Sequence, residues 1–156
     1  MMTEPVVPKL SRLCRASVKV AAPLDLGATP AGTRRIVAIQ GGTVEGERLS
    51  GEIVPGGADW QIVRDDGTAL LEARYTVRTH DGALIYVCNT GIRRGPREVL
   101  ARIAAGEPVD PGEYYFRSSP VFETGDSRYV WLNGIVAVGS AVRLKGEVIL
   151  DFYVVD

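Results

Sequence analysis

The sequence contains few of the residues that build disulfides, redox centres and metal sites. Two cysteines, Cys14 and Cys88, and one histidine, His80, occur in 156 residues. A disulfide scaffold and a histidine-based zinc site are therefore excluded, because neither has enough members. We expect both cysteines to be buried free thiols, and we predict no cofactor and no metal ion.

The sequence also lacks an excess of charge of either sign. Eighteen basic residues stand against nineteen acidic ones, a formal net charge of −1. Nucleic-acid coats and polybasic membrane anchors need a clear positive excess. No apolar run is long enough for a membrane-spanning helix, and no secretory signal is recognised. We therefore expect a cytoplasmic protein whose partner is a small molecule, with no nucleic acid and no membrane. A homodimer is the default expectation, since two-fold assembly is the commonest.

Glycine, valine and isoleucine are abundant. Eighteen glycines exceed the roughly 7% of an average protein, and a valine-rich chain interrupted by glycines is typical of β-structure. Six of the glycines cluster between Gly41 and Gly57, where a closing barrel needs corners. A phosphate-binding loop is the rival interpretation, but neither Lys-Ser/Thr nor a helix follows, as a P-loop requires.

The length suits a single domain at 12–156 after an N-terminal extension at 1–11.

Alternation of apolar and polar residues predicts strands along most of the chain. Asp81-Gly82 is a two-residue turn that joins the clearest hairpin. The predicted strands are 15–26, 34–44, 70–80, 83–91, 113–118, 129–144 and 147–155. We predict an all-β, mainly antiparallel fold: a closed β-barrel of about eight to ten strands, with a two-sheet sandwich as the alternative.

One short helix is predicted at 96–105. Pro96 suits its first position, and Gly106 with Pro108 ends it. A helix this short must pack against or plug the sheet. The basic residues just before it, Arg93, Arg94 and Arg97, are interpreted as a solvated face or an anion contact.

Several motifs resemble those of the DUF3237 family, also called UPF0311. They are the glycines Gly41, Gly42 and Gly46, the stretches 54–60 (Val-Pro-Gly-Gly-Ala-Asp-Trp), 80–83 (His-Asp-Gly-Ala), 114–117 (Tyr-Tyr-Phe-Arg) and 129–133 (Tyr-Val-Trp-Leu-Asn), and the single residues Tyr75, Tyr86, Gly91, Arg93, Pro120, Phe122 and Glu123. The resemblance covers about residues 12–156. It implies a compact β-barrel and brings no established reaction.

Polar side chains inside a barrel cost free energy unless they are paired or face a wet cavity. The sequence offers a set of such residues that has the composition of a small-molecule pocket. The catalytic candidates are Asp59, Arg117, Glu123 and Tyr75, and the ligand-binding candidates are Trp60, Gln61, Tyr115, Tyr129, Trp131 and Asn133.

These residue types suit acid–base chemistry. Asp59 or Glu123 can act as a general base if burial raises its pKa. Arg117 can hold a carboxylate or an enolate oxygen, and a tyrosine can donate to a carbonyl oxygen that becomes negative. Structural interpretations stay open beside these: Asp59 as a turn cap, Arg117 with Glu123 as an ion pair, and Trp131 as a core residue.

The leading hypothesis is a cofactor-independent acid–base enzyme of the isomerase, cyclase or lyase/hydratase type. Its substrate would be an apolar or aromatic oxygenated metabolite. The alternatives are a non-catalytic barrel that binds or carries a ligand, and a structural interaction module. An internal cavity separates the first two from the third, which predicts a barrel interior packed solid.

Overall fold

A computed structural model describes residues 3–156. In this range the chain forms nine strands: β1 (Leu10–Val20), β2 (Leu24–Thr29), β3 (Gly32–Glu45), β4 (Gly51–Val63), β5 (Ala69–Thr79), β6 (Leu84–Arg94), β7 (Tyr115–Glu123), β8 (Val136–Leu144) and β9 (Glu147–Val155). One α-helix, α1 (Arg97–Ala104), and two 3-10 helices, Pro111–Glu113 and Val130–Gly134, complete it. β1 begins inside the predicted extension 1–11, whose residues 1 and 2 lie outside the described range.

All strand pairs are antiparallel, and the sheet closes on itself. The order is β1-β9-β8-β7-β6-β5-β4-β3-β2, and a second pairing of β1 with β3 completes an eight-stranded barrel. β2 pairs with β3 at its other half and stays outside the closure. The predicted closed antiparallel barrel with one short helix is therefore confirmed.

The glycine cluster lies where the barrel closes. A Cβ atom on Gly42 would lie 2.0 Å from the carbonyl oxygen of Ser17 on β1. Gly42 also has a φ of 146°, a conformation that other residues rarely adopt. A bulge between Val54 and Ala58 interrupts the β4–β5 register nearby. These glycines thus permit close strand approach and sharp bending.

Two predicted strands are wrong. The stretch 15–26 is interrupted at residues 21–23, so β1 and β2 are separate strands. The stretch 129–144 begins with the 3-10 helix Val130–Gly134, and only Val136–Leu144 is a strand. Tight turns of this kind do not follow the two-residue period of a strand.

The alternating side chains fill the barrel with an apolar core. Ala16, Val18 and Val20 of β1 point inward, as their alternation predicts, and Phe122 meets Phe152 edge-to-face with ring centroids 6.1 Å apart. Because successive strands run in opposite directions, the chain connections collect at two ends of the barrel. The α1 end carries α1, the β4–β5 turn and the β8–β9 turn. The opposite end carries the Asp81-Gly82 turn and the 3-10 helix Val130–Gly134.

Candidate active site inside the barrel

A cavity of about 60 Å³ lies inside the barrel, toward the α1 end. A single water needs roughly 10–15 Å³ of such space, so the cavity admits several water-sized groups. Nine of the seventeen residues that line it have apolar side chains: Val18, Val20, Val37, Ile39, Leu71, Ala73, Phe116, Val148 and Leu150. The polar side chains that line it are Asp59, Gln61, Tyr75, Asn89, Arg93, Ser118 and Arg143.

Asp59 is the carboxylate of this cavity. Alternation along β4 places Asp59 and Gln61 on the inward face, two residues after the glycines of the bulge. One carboxylate oxygen accepts a hydrogen bond from Gln61 Nε2 at 2.8 Å, and the other accepts from the backbone N–H of Glu72 at 2.9 Å. Burial nevertheless raises the pKa of Asp59, because its effect exceeds that of these hydrogen bonds and of the nearby Arg93 and Arg143.

Three polar atoms in the cavity wall have no hydrogen-bond partner among the described residues. They are Gln61 Oε1, Asn89 Oδ1 and Ser118 Oγ, and all three are buried. A buried polar group without a partner costs about 1–3 kcal/mol. Three such groups facing one cavity are therefore well suited to receive hydrogen bonds from a bound molecule.

Two arginines reach the cavity from the α1 end. Burial, followed by the positive charge of Arg143, lowers the pKa of Arg93 to about 10. Burial also lowers the pKa of Arg143, with Arg35 as the next contributor. In both cases Asp59 acts in the opposite direction. The site thus holds a carboxylate of raised pKa beside cations that favour negative charge.

Tyr75 of β5 faces the same cavity. Only 5% of its surface is exposed, and burial raises the pKa of its hydroxyl. The phenol therefore stays neutral at physiological pH and can donate a hydrogen bond. Of the ten residues proposed from the sequence, the structure brings Asp59, Gln61 and Tyr75 together at this cavity.

Four of the proposed residues lie on the outer surface of the barrel. Trp60, Tyr115, Arg117 and Glu123 occupy outward positions of β4 and β7. Tyr115 lies beneath the guanidinium groups of Arg94 and Arg117, at 4.5 and 5.5 Å from its ring centroid. Arg117 and Glu123 are six residues apart on one strand, about 20 Å, so they do not pair. Their predicted roles stay predictions, and these side chains do not reach the cavity.

The other three proposed residues hold the opposite end of the barrel together. The Tyr129 hydroxyl donates to the Asp81 carboxylate at 2.9 Å. The side chain of Asn133 forms hydrogen bonds with both the backbone N–H and the carbonyl of Thr124. Trp131 is half-buried, with the Arg48 guanidinium 4.3 Å above its ring. These contacts are structural, and their ligand-binding roles stay predictions.

The sequence-based set omitted four polar residues that line the cavity: Asn89, Arg93, Ser118 and Arg143. The alternation of inward and outward positions predicts that the two arginines face inward. On β6 the inward series that includes Asn89 continues through Gly91 to Arg93, and on β8 the series 137, 139, 141 continues to Arg143. A charged residue at the end of an inward series indicates a site at the barrel mouth.

In the range 3–156, no three His, Cys, Asp or Glu side chains converge as metal ligands would. None of the helices in that range has the length and apolar character needed to cross a membrane. Cys14 is buried and Cys88 is partly exposed, and both are free thiols.

The fold and the cavity define a class: small antiparallel β-barrels with a polar site enclosed in the barrel. The sequence profile of the family described as "Protein of unknown function (DUF3237)" matches residues 8–155. The chain belongs to this family, as its motifs predicted. A UPF0311 protein of Rhodopseudomonas palustris is 50% identical over 122 residues, which are 78% of this chain and 80% of that one. A UPF0311 protein of Clostridium acetobutylicum is 46% identical over 122 residues, 78% and 77% of the two chains.

Solved structures show the same barrel. A conserved protein of unknown function from Rhodopseudomonas palustris superposes with a TM-score of 0.91 at 40% identity, covering 98% of this chain and all of that one. A β-barrel-like protein from Acinetobacter baumannii gives 0.88 at 46% identity, over 99% and 100% of the two chains. An enzyme from Penicillium herquei gives 0.73 at 21% identity over the full length of both, which shows a shared fold alone.

Proposed function

We propose that the protein is a cofactor-independent acid–base enzyme that acts on a small, largely apolar, oxygenated metabolite. The observation that carries this proposal is Asp59: a carboxylate of raised pKa in an apolar-walled cavity, next to two arginines. A general base works best when its pKa approaches the operating pH. A fold shared with a protein described as an enzyme is compatible with catalysis in this barrel, but the argument rests on the cavity.

The proposed step is proton transfer at a carbon next to a carbonyl group. The Asp59 carboxylate removes the proton, the C–H electron pair becomes the new C=C bond, and the carbonyl π electrons move onto oxygen. Arg93 and Arg143 stabilise the resulting enolate oxygen, and Tyr75 is a further donor. The protonated Asp59 then returns the proton to the same or another carbon, which completes exchange or isomerisation. In an elimination, the enolate electrons instead expel a leaving group, which takes the proton from Asp59.

Hydrogen–deuterium exchange tests this step without knowledge of the natural substrate. Cyclohexanone, acetophenone and 2-tetralone are incubated with the protein in D2O, and deuterium uptake is measured by mass spectrometry. We expect faster exchange of at least one ketone with the wild type. Asp59→Asn should reduce the enzymatic rate by about 10²–10⁴-fold, the usual contribution of a general base.

Glu52→Gln is the matched control, because Glu52 lies on the same strand as Asp59 but is exposed and pairs with Arg78. It should keep the wild-type rate. Exchange that is equal in the wild type and Asp59→Asn would overturn the assignment of Asp59. If no ketone exchanges faster than in buffer, the enzymatic proposal fails.

The second candidate function is a non-catalytic carrier. The unpartnered Gln61 Oε1, Asn89 Oδ1 and Ser118 Oγ favour it, since they can hold a ligand without any chemistry. Calorimetric binding of a ketone that never exchanges would support the carrier.

We further propose a cytoplasmic homodimer, and light scattering of the purified protein measures its oligomeric state.

A further inference from the structure

A second pocket lies at the α1 end of the barrel, between α1 and the strand ends. Its volume is about 150 Å³, and Leu100 and Ile103 of α1 form one wall. Three arginines from three different strands line it: Arg35 of β3, Arg93 of β6 and Arg143 of β8. Each lies at the end of a series of inward-facing, mainly apolar residues, so the barrel fold itself brings the three guanidinium groups to one end of the barrel.

These three arginines have no carboxylate partner in the range 3–156, whereas six of the other twelve arginines of the protein form ion pairs. Among the described residues, no Asp or Glu oxygen lies within 4.0 Å of their guanidinium nitrogens, whereas Arg15, Arg74, Arg78, Arg102 and Arg128 all form ion pairs. Burial, and after it the like charge of a neighbouring arginine, lowers the pKa of Arg93 and of Arg143. This end of the barrel therefore carries positive charge that no ion pair among the described residues neutralises.

The second pocket adjoins the site proposed above. Arg93 and Arg143 line both the second pocket and the inner cavity, where Asp59 lies. Counted formally, an ionised Asp59 offsets one of the three arginine charges, so two positive charges remain. One remaining charge can offset a permanent anion on a ligand, and the other can stabilise the charge that develops on an enolate oxygen.

We propose that the ligand is a small monocarboxylic acid whose carboxylate is held by Arg35, Arg93 and Arg143 while its apolar body extends into the cavity toward Asp59. This inference names the substrate class of the site and rests on the function proposed above. Arginine suits this role because its planar group binds a carboxylate through two parallel hydrogen bonds. The single carboxylate also fits a narrow pocket with an apolar wall.

Matched pairs of acids and neutral analogues test the proposal by isothermal titration calorimetry. The pairs are benzoate with benzamide, 2-naphthoate with 2-naphthamide, and phenylpyruvate with phenylacetone. We expect at least one acid to bind the wild type about tenfold or more tightly than its neutral partner, as charge-assisted hydrogen bonds provide. If no acid binds more tightly than its partner, the proposal is overturned. Tighter binding of inorganic phosphate than of every acid would also overturn the carboxylate assignment.

Substitutions test whether these arginines hold the carboxylate. Arg35→Gln and Arg143→Gln should each remove most of the preference for the acid over its neutral analogue. Arg78→Gln is the control, because Arg78 is exposed on the outer surface and pairs with Glu52. Circular dichroism checks folding, and an equal loss in Arg78→Gln would show a non-specific charge effect and overturn the proposal.

The two proposals fail in different ways. Phenylpyruvate decides between them, because it alone of the three acids has hydrogens on a carbon next to a ketone. If it binds both the wild type and Asp59→Asn but exchanges no faster than in buffer, the anion site is supported and the enzymatic step is contradicted. Exchange of neutral ketones that depends on Asp59, with no preference for any acid, supports the enzymatic step and contradicts the anion site.

Discussion

Asp59 is a residue whose position costs stability. Burial raises its pKa above the roughly 3.9 of an unfolded chain. At a pH between the pKa of the unfolded chain and the raised pKa of the native protein, Asp59 is protonated in the native state and ionised in the unfolded state. The favourable contribution of neutral Asp59 is therefore present at low pH and lost as pH rises through the raised pKa. Such a cost at a functional group is common, because sites are shaped for activity.

We expect Asp59→Asn to stabilise the protein at neutral pH. Asparagine removes the buried charge. Its Oδ1 can accept from the backbone N–H of Glu72, and its amide N–H can donate to Gln61 Oε1 once the Gln61 side-chain amide turns over. The gain should be about 0.5–2 kcal/mol, as for other stabilising substitutions. It should grow from about pH 4 upward and then level off above the pKa of Asp59. Urea unfolding of both proteins across this pH range measures it.

Asp126→Asn is the opposite control. Hydrogen bonds from Arg128 lower the pKa of Asp126 to about 2, so its stabilising effect is present at neutral pH and lost as pH falls through that value. This variant should be less stable than the wild type at pH 7. If Asp59→Asn is also less stable at neutral pH, then Arg93 and Arg143 outweigh burial and the pKa of Asp59 is lowered.

Part of the site followed from residue type and alternation. Asp59, Gln61 and Tyr75 were identified as polar residues among apolar strands, and they line the cavity. Chemistry alone points to Arg117 and Glu123, although both alternate on β7 with the buried Phe116 and Phe122. Residue type proposes a role, but the face of the strand decides whether the side chain can reach the site.

At the scale of elements, the 3-10 helix Val130–Gly134 closes the barrel end opposite α1. Leu132 is 1% exposed and Val130 is 55% exposed. We expect Leu132→Ala to lower the free energy of unfolding by about 2–5 kcal/mol, because it leaves a cavity. Val130→Ala should change it by no more than about 0.5 kcal/mol. Chemical denaturation of the two variants tests this difference.

The same pair of variants separates the two descriptions of this segment. In the strand predicted from sequence, residues 130 and 132 share one face, so their substitution would have similar effects. In a 3-10 helix with three residues per turn they point in different directions. The sequence predicted a strand here because Tyr129, Val130 and Trp131 all favour β-structure. Tertiary contacts stabilise the 3-10 helix instead of a strand: the Tyr129 hydroxyl donates to Asp81, and Asn133 accepts from the backbone N–H of Thr124.

The strand content and the barrel were predictable for a physical reason. Each β-strand of a barrel has one face inside and one outside, so its sequence alternates along its whole length. Alternation predicts no strand in the range of β4, because the bulge at residues 55–57 shifts the alternation in its middle. Strand partners that are distant in sequence, such as β1 with β3, leave no local signal. The glycines at the contact were the one indication that the sheet closes.

At the scale of the whole molecule, closure depends on the contact between β1 and β3 at Gly42. Gly42 and Gly56 both have a positive φ, 146° and 119°, so a side chain at either position strains the backbone. A Cβ at Gly56 meets nothing within 4 Å, whereas one at Gly42 would lie 2.0 Å from the Ser17 carbonyl oxygen. The two positions therefore separate backbone strain from the cost of opening the barrel.

We expect Gly56→Ala to cost about 1–3 kcal/mol from backbone strain. Gly42→Ala should cost clearly more, since forcing the strands apart adds about 1–3 kcal/mol or greater. Gly125→Ala, which has neither feature, should be close to neutral. Thermal and urea unfolding measure the order, and hydrogen exchange should show lost protection in β1 and β3 of Gly42→Ala alone. Equal costs at Gly42 and Gly56 would mean that the β1–β3 contact yields easily and that closure adds little to stability.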